Sequence, residues 1–165
     1  MQKHLRRYRL LGVLVATFVV LSGIMTSFVQ AQSPLRPISP SAISMQIYEQ
    51  IPELPLENQY VNSETGKVDA DNTLVSRIIR YHLYIKNRPT NLRLDWKLTI
   101  ADYLAAFEQI SAEDYPDYGL RENPIDSDIL AMKTLSWEVR DRLTNTLYEA
   151  FASRAAASAT DVDES

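Results

Sequence analysis

The sequence predicts a mainly α fold: a small single domain of about three helices, with a short β-hairpin or three-stranded element attached. Three observations predict it. An apolar stripe at helical spacing runs from about Ser127 to Arg154, and a second lies between Asp71 and Pro89. Strand-like patterning is confined to Gln59–Val68 and Leu92–Ile100, too little for a sheet-based domain. The chain has 165 residues and no cysteine, so packing alone must hold the folded span, residues 51–154. That span is well above the roughly 40 residues below which disulfides or metals are usually needed.

Taken in order, the chain opens on Lys3, Arg6, Arg7 and Arg9, then an apolar segment from Leu10 to Val29, then the exit Val29-Gln30-Ala31. A basic start, an apolar middle and a small-residue exit predict a signal peptide over residues 1–31, cleaved to leave Gln32 first. An uncleaved anchor is the alternative, because the twenty apolar-segment residues span about 30 Å in a helix. Membrane contact would then be confined to residues 10–29. Either way the cations stay behind and the rest is exported. Arg9 stands where twin-arginine signals usually carry an apolar residue, which favours the general secretory route. Removing residues 1–31 takes away four of the 17 cations and none of the 21 acids, so the exported chain has net charge −8. Such a balance argues against nucleic acid or an anionic lipid surface as a partner.

Residues 32–50, rich in Pro and Ser at their start, read as a tether. Pro52 and Pro55 predict an extended stretch from Ile51 to Leu56. Gln59–Val68 reads as a hairpin about Ser63-Glu64-Thr65-Gly66. The first helix starts at Asp71 or Asn72 and stops before Pro89, with Leu74, Val75, Ile78, Ile79, His82 and Ile85 on one face and Arg77, Arg80 and Tyr84 on the other. Leu92, Leu94, Trp96, Leu98 and Ile100 alternate with polar residues and predict a strand; a short helix capped by Thr99 follows. A loop fills Ser111 to Ser127. One long helix then runs to Arg154, its stripe of Ile129, Met132, Leu135, Val139, Leu143, Leu147 and Phe151 widened by Leu130, Trp137 and Tyr148. Glu138 and Arg142 are spaced for an i,i+4 pair on its wet side. Residues 155–165 end in Asp161, Asp163 and Glu164 and read as a disordered acidic tail.

The stretch Glu57 to Leu104, through Glu57-Asn58-Gln59-Tyr60-Val61-Asn62 and Arg93-Leu94-Asp95-Trp96-Lys97-Leu98-Thr99, resembles small exported cyanobacterial proteins of unassigned function. The resemblance covers less than a third of the chain. It implies a periplasmic or thylakoid-lumen location and brings no catalytic residues with it.

Chemistry-bearing residues are few. His82 is the sole histidine after residue 31 and sits among aliphatic residues with no Gly-x-Ser-x-Gly turn, so it reads as a core histidine rather than a catalytic base. One histidine and no cysteine leave zinc, copper and haem without ligands. Asp69-Ala70-Asp71 and Asp126-Ser127-Asp128 match a calcium loop only in part and read as helix-start acids. A glycosidase pair such as Asp95 and Glu113 with Trp96 as a sugar platform is a generic feature of acidic chains. No catalytic residue, metal ligand or cofactor is therefore assigned. The partner-binding candidates are Arg77, Arg80, Tyr84 and Arg88 on one helix face and Trp137 and Tyr148 on the other helix. The sequence points to a non-enzymatic, exported accessory protein that docks on a protein partner at a membrane or envelope complex. The alternative is a small carboxylate-based hydrolase or a solute- or calcium-binding domain using the loop from Ser111 to Ser127.

Overall fold

The computed structural model describes residues 39–163, with side chains through residue 155. Residues 1–31, expected to be a signal peptide, and residues 32–38 lie outside them. Among the described residues five α-helices form: α1 (Pro40–Gln50), α2 (Leu74–Arg80), α3 (Arg93–Tyr103), α4 (Ile125–Thr134) and α5 (Trp137–Asp163). Helix α2 packs on α1, α1 reaches α5, and α3 lies against α5, α4 and the turn that follows α2. Among the described residues no helix is long and apolar enough to cross a membrane.

Helix α1 corrects the tether, of which it occupies residues 40–50. Ser39 accepts from the Ala42 N–H and Pro40 takes the first helical position, where its missing N–H costs nothing. Ile43 and Ile47, one turn apart, are buried, and Pro52 stops the helix by disfavouring helical backbone at Ile51.

The expected hairpin reduces to a loop. Among the described residues the only β pairing is two isolated bridges, Val61–Val68 and Asn62–Leu120. Asn62 organises the turn by accepting from the Glu64 and Thr65 N–H groups at 3.0 Å, and Gly66 supplies the positive φ of 67°. The Ser63 and Arg121 N–H groups bond to Gly119 and Val61 carbonyls, so the loop is tied to residues 119–121 instead of to a second strand.

Helix α2 is the centre of the domain. Thr73, not Asp71 or Asn72, caps it by accepting from the Ser76 N–H at 3.2 Å. All its residues from Leu74 to Ile79 are buried, on both faces. It continues as a π-helical turn, Tyr81–Ile85, closed by Lys86 N–H to the Tyr81 carbonyl at 2.9 Å. The wider turn carries both Tyr81 and His82 into the interior and leaves Tyr84 exposed.

Helix α3 replaces the predicted strand. Trp96, Thr99, Ile100 and Tyr103, at i, i+3, i+4 and i+7, are its buried face, while Leu94 points to solvent. The alternating pattern of Leu92–Ile100 is thus spread around a helix, and its Leu, Arg, Lys and Asp lack the β-branching that strands favour. The chain leaves through Ala105 at φ 52°.

The long helix predicted from Ser127 to Arg154 is two helices. Leu135, at ψ 144°, leaves helical space, and Ser136 restarts the chain by accepting from the Val139 N–H. Arg140 reaches back to the Met132 and Leu135 carbonyls, which closes the open end of α4. Met132, Leu143, Leu147 and Phe151 of the expected stripe are buried, with Ile129, Leu135 and Val139 half-buried. Arg142 pairs with Glu53 across the domain rather than with Glu138. Helix α5 extends to Asp163, through most of the span expected to be a disordered tail.

Candidate functional site

Of the residues predicted to meet a partner, Arg77 lies deepest. It is fully buried, because α2 is covered on both faces. Its Nε donates to Asp128 Oδ2 at 2.6 Å, and Nη2 donates to Asp128 Oδ1 and to the Glu57 carbonyl, both at 2.7 Å. Nη1 donates to the Asn72 carbonyl and to Asn72 Oδ1. Those five bonds use every N–H that a guanidinium has. The ring of Tyr60 lies 5.3 Å from its central carbon. Burial pulls the Arg77 pKa down, but the hydrogen bonds and charge of Asp128, with Tyr115 and Tyr103 adding to them, together hold it above its ordinary value. The Tyr115 hydroxyl donates to Asp128, and Tyr103 meets Tyr115 at 3.1 Å. Burial drives both phenols well above their usual range. Burial raises the Asp128 carboxyl as well, against the lowering by Arg77 and Tyr115.

Arg88 belongs to a second interior cluster, around the π turn. His82 is flat against Trp96, ring centroids 3.6 Å apart. Its Nε2 faces the Pro89 carbonyl at 3.2 Å and so carries the proton; Nδ1 accepts from the Thr99 hydroxyl at 2.8 Å. Arg88 donates to Thr99 Oγ1 at 2.9 Å and to Asp102 Oδ2 at 2.6 Å, and Tyr81 also donates to Asp102. Burial, aided by the Arg88 charge, lowers the His82 pKa to about 4. The imidazole is therefore neutral and fully engaged at neutral pH.

The remaining candidates face outward to different degrees. Arg80 is half-buried and donates to Asn72 Oδ1 at 3.1 Å; Tyr84 is exposed. Trp137 is 65% exposed and Tyr148 half-buried. The predicted basic face therefore dissolves: Arg77 and Arg88 turn inward to acids on α4 and α3, whereas Trp137 keeps its place on the surface. Two residues weighed for carboxylate chemistry, Trp96 and Asp128, are buried. Trp96 is 0% exposed and cannot be a sugar platform. Asp126 is exposed while Asp128 is locked to Arg77, and among the described residues no group of three acids or histidines converges.

A feature the sequence reading passed over is a cleft of about 590 Å³ between the end of α3, residues 109–112 and α4. Its lining includes the apolar Tyr103, Ile110, Ile125 and Ile129 and the exposed Gln109, Ser111, Asp126 and Lys133. The sequence signal was present: Asp126, Ile129 and Lys133 share one face of α4 at i, i+3, i+7. It was hidden because the loop was expected to continue through Ser127. No known protein family, curated protein or solved structure matches this chain.

Proposed function

We propose that this is a non-enzymatic, exported accessory protein that binds a protein partner at the exported face of a membrane or envelope complex. One observation carries the reading. Among the described residues every buried side-chain nitrogen and oxygen has an internal hydrogen-bond partner, while large apolar side chains stand in solvent. The interior is thus a scaffold whose buried polar groups are engaged with one another rather than left open to a substrate. The apolar groups left outside, Trp137 at 65% and Leu130 at 63% exposed among them, are of the kind that anchor interfaces.

Export rests on the basic, apolar and small-residue order of residues 1–31 and is tested by intact mass. A mature protein beginning at Gln32 supports it, and a mass retaining Met1–Ala31 establishes the anchor instead. Docking is tested by co-purification of the full chain from native membranes. Trp137→Ala is expected to change stability by no more than about 0.5 kcal/mol, the usual range for a surface site. The same change should weaken partner binding by about 2 kcal/mol or more if Trp137 is an anchor. A wild-type chain that brings down no stoichiometric partner ends this reading.

A further inference from the structure

The cleft beside α4 has one wall of unusual chemistry. After the turn and bend of residues 104–107 that follow α3, residues 108–111 carry neither turn, bend nor strand. The backbone N–H and C=O groups of Gln109, Ile110 and Ser111 have no hydrogen-bond partner among the described residues. Three consecutive residues with open main-chain groups can take the backbone bonds of an incoming extended peptide, as a sheet edge does.

The opposite wall carries charges set apart along a helix. Asp126 and Lys133 are exposed, neither has an ion-pair partner among the described residues, and both line the cleft. Seven residues of helix separate them by about 10 Å along the axis, with Ile129 between. An extended chain presents alternate side chains on one face at about 6.6 Å intervals, so three of them span about 13 Å. A cation, an apolar residue and an anion at alternate positions then match Asp126, Ile129 and Lys133, the long charged arms closing the difference. The Asp102 carboxylate, also in the lining, is already occupied by Arg88, Tyr81 and the Glu108 N–H. The free charges, Asp126 and Lys133, are thus exposed and set apart along α4 rather than brought together, which suits a strand laid across the cleft better than a metabolite enclosed in it.

We infer that this cleft receives an extended segment of a partner polypeptide, paired main chain to main chain with Gln109–Ser111 and read by Asp126, Ile129 and Lys133. The inference rests on the interaction reading above and names the kind of partner surface it requires. The probe is a library of random peptides selected on the full chain. Enriched peptides should place a cation, an apolar residue and an anion at alternate positions, and should shift the amide resonances of Gln109, Ile110 and Ser111. N-methylation of the paired peptide amides, or Ile129→Arg in the protein, should lower affinity by about tenfold or more. Asp126→Lys with Lys133→Glu alters exposed positions only, so it keeps the test alive should Ile129→Arg fail to fold, and it should select the reversed charge order. A library that yields no enriched peptide, or peptides held equally by wild type and both variants, overturns the inference. If the native partner is still retained by both variants, the cleft is not its docking site and the interaction reading stands. Absence of any partner with wild type removes the reading itself.

Discussion

Two polar clusters lie inside this domain, on successive segments of one helix, and they solve the problem of burying charge in different ways. Around Arg77 the solution is complete charge pairing: a two-pronged contact with Asp128, carbonyls for the remaining N–H groups, and Tyr115 closing the carboxylate. Around His82 it is neutrality: the imidazole stays uncharged, stacked on Trp96, while Arg88 and Asp102 pair beside it. In the first cluster burial raises the Asp128 carboxyl against the opposing pull of Arg77. In the second the His82 pKa is lowered to about 4, and protonation there would add a positive charge next to Arg88. The helix is therefore locked at one end and conditionally stable at the other, and the π turn is what brings the conditional residue inside.

Removing Arg77 breaks this comparison most severely. Arg77→Met leaves the Asp128 carboxylate buried without its cation, and orphaned charges of this kind cost about 3–5 kcal/mol. Denaturant unfolding should register a loss of that size. Arg77→Met combined with Asp128→Leu should recover part of it, since no lone charge then remains. Recovery stays incomplete because the Glu57 and Asn72 carbonyls lose their donor. A single variant as stable as wild type would mean that the cluster is not desolvated as described.

The His82 end is sharpened by pH. Its pKa falls from an ordinary 6.5 to about 4, so between these values the unfolded chain binds more protons than the folded one. Stability from this group is fully present above pH 6.5 and is lost as pH falls toward 4, by up to about 3 kcal/mol. His82→Phe keeps a ring against Trp96 and removes the titration. Wild type should therefore lose up to about 3 kcal/mol of stability relative to His82→Phe as pH drops from 6.5 to 4. A difference that stays constant across that window would show that His82 is not the group that titrates.

These clusters also explain how much could be read from the sequence. Helical character, the position of α2 and the interior place of His82 were legible, because each follows from 3.6-residue spacing of apolar side chains. Arg77 was misplaced for a reason built into that method: spacing assigns an arginine to the wet face, and only a tertiary partner 51 residues away, Asp128, reverses it. The strand predicted at Leu92–Ile100 failed because five apolar residues at period two also fit a helix whose outer leucines are exposed. The break at Leu135–Ser136 escaped notice because the apolar stripe continues through it. Helix α1 was hidden in a Pro- and Ser-rich stretch, although Ser39-Pro40 is itself a start signal. The cleft needed α3, α4 and residues 109–112 in their final places, so only its α4 charges were visible beforehand.

The smallest expected effect is at the surface and completes the comparison of buried with exposed pairing. Arg142 meets Glu53 with side chains 53% and 44% exposed, the same arginine–carboxylate chemistry as Arg77 with Asp128 but in water. High dielectric and the entropy of two long side chains reduce such a pair to about 0–1 kcal/mol. Helical spacing offered Arg142 a different partner, Glu138, one turn away. Glu138 instead has its pKa lowered by the open N–H groups at its own helix start, assisted by the Ser136 hydroxyl, so it is already engaged. Glu53→Gln should therefore lower stability slightly, and Glu138→Gln should leave the contribution of Arg142 unchanged. A double-mutant cycle separates the two: coupling is expected between Arg142 and Glu53, falling with added salt, and none between Arg142 and Glu138. Coupling to Glu138 alone would restore the local pairing read from the sequence. It would also detach residue 53 from α5.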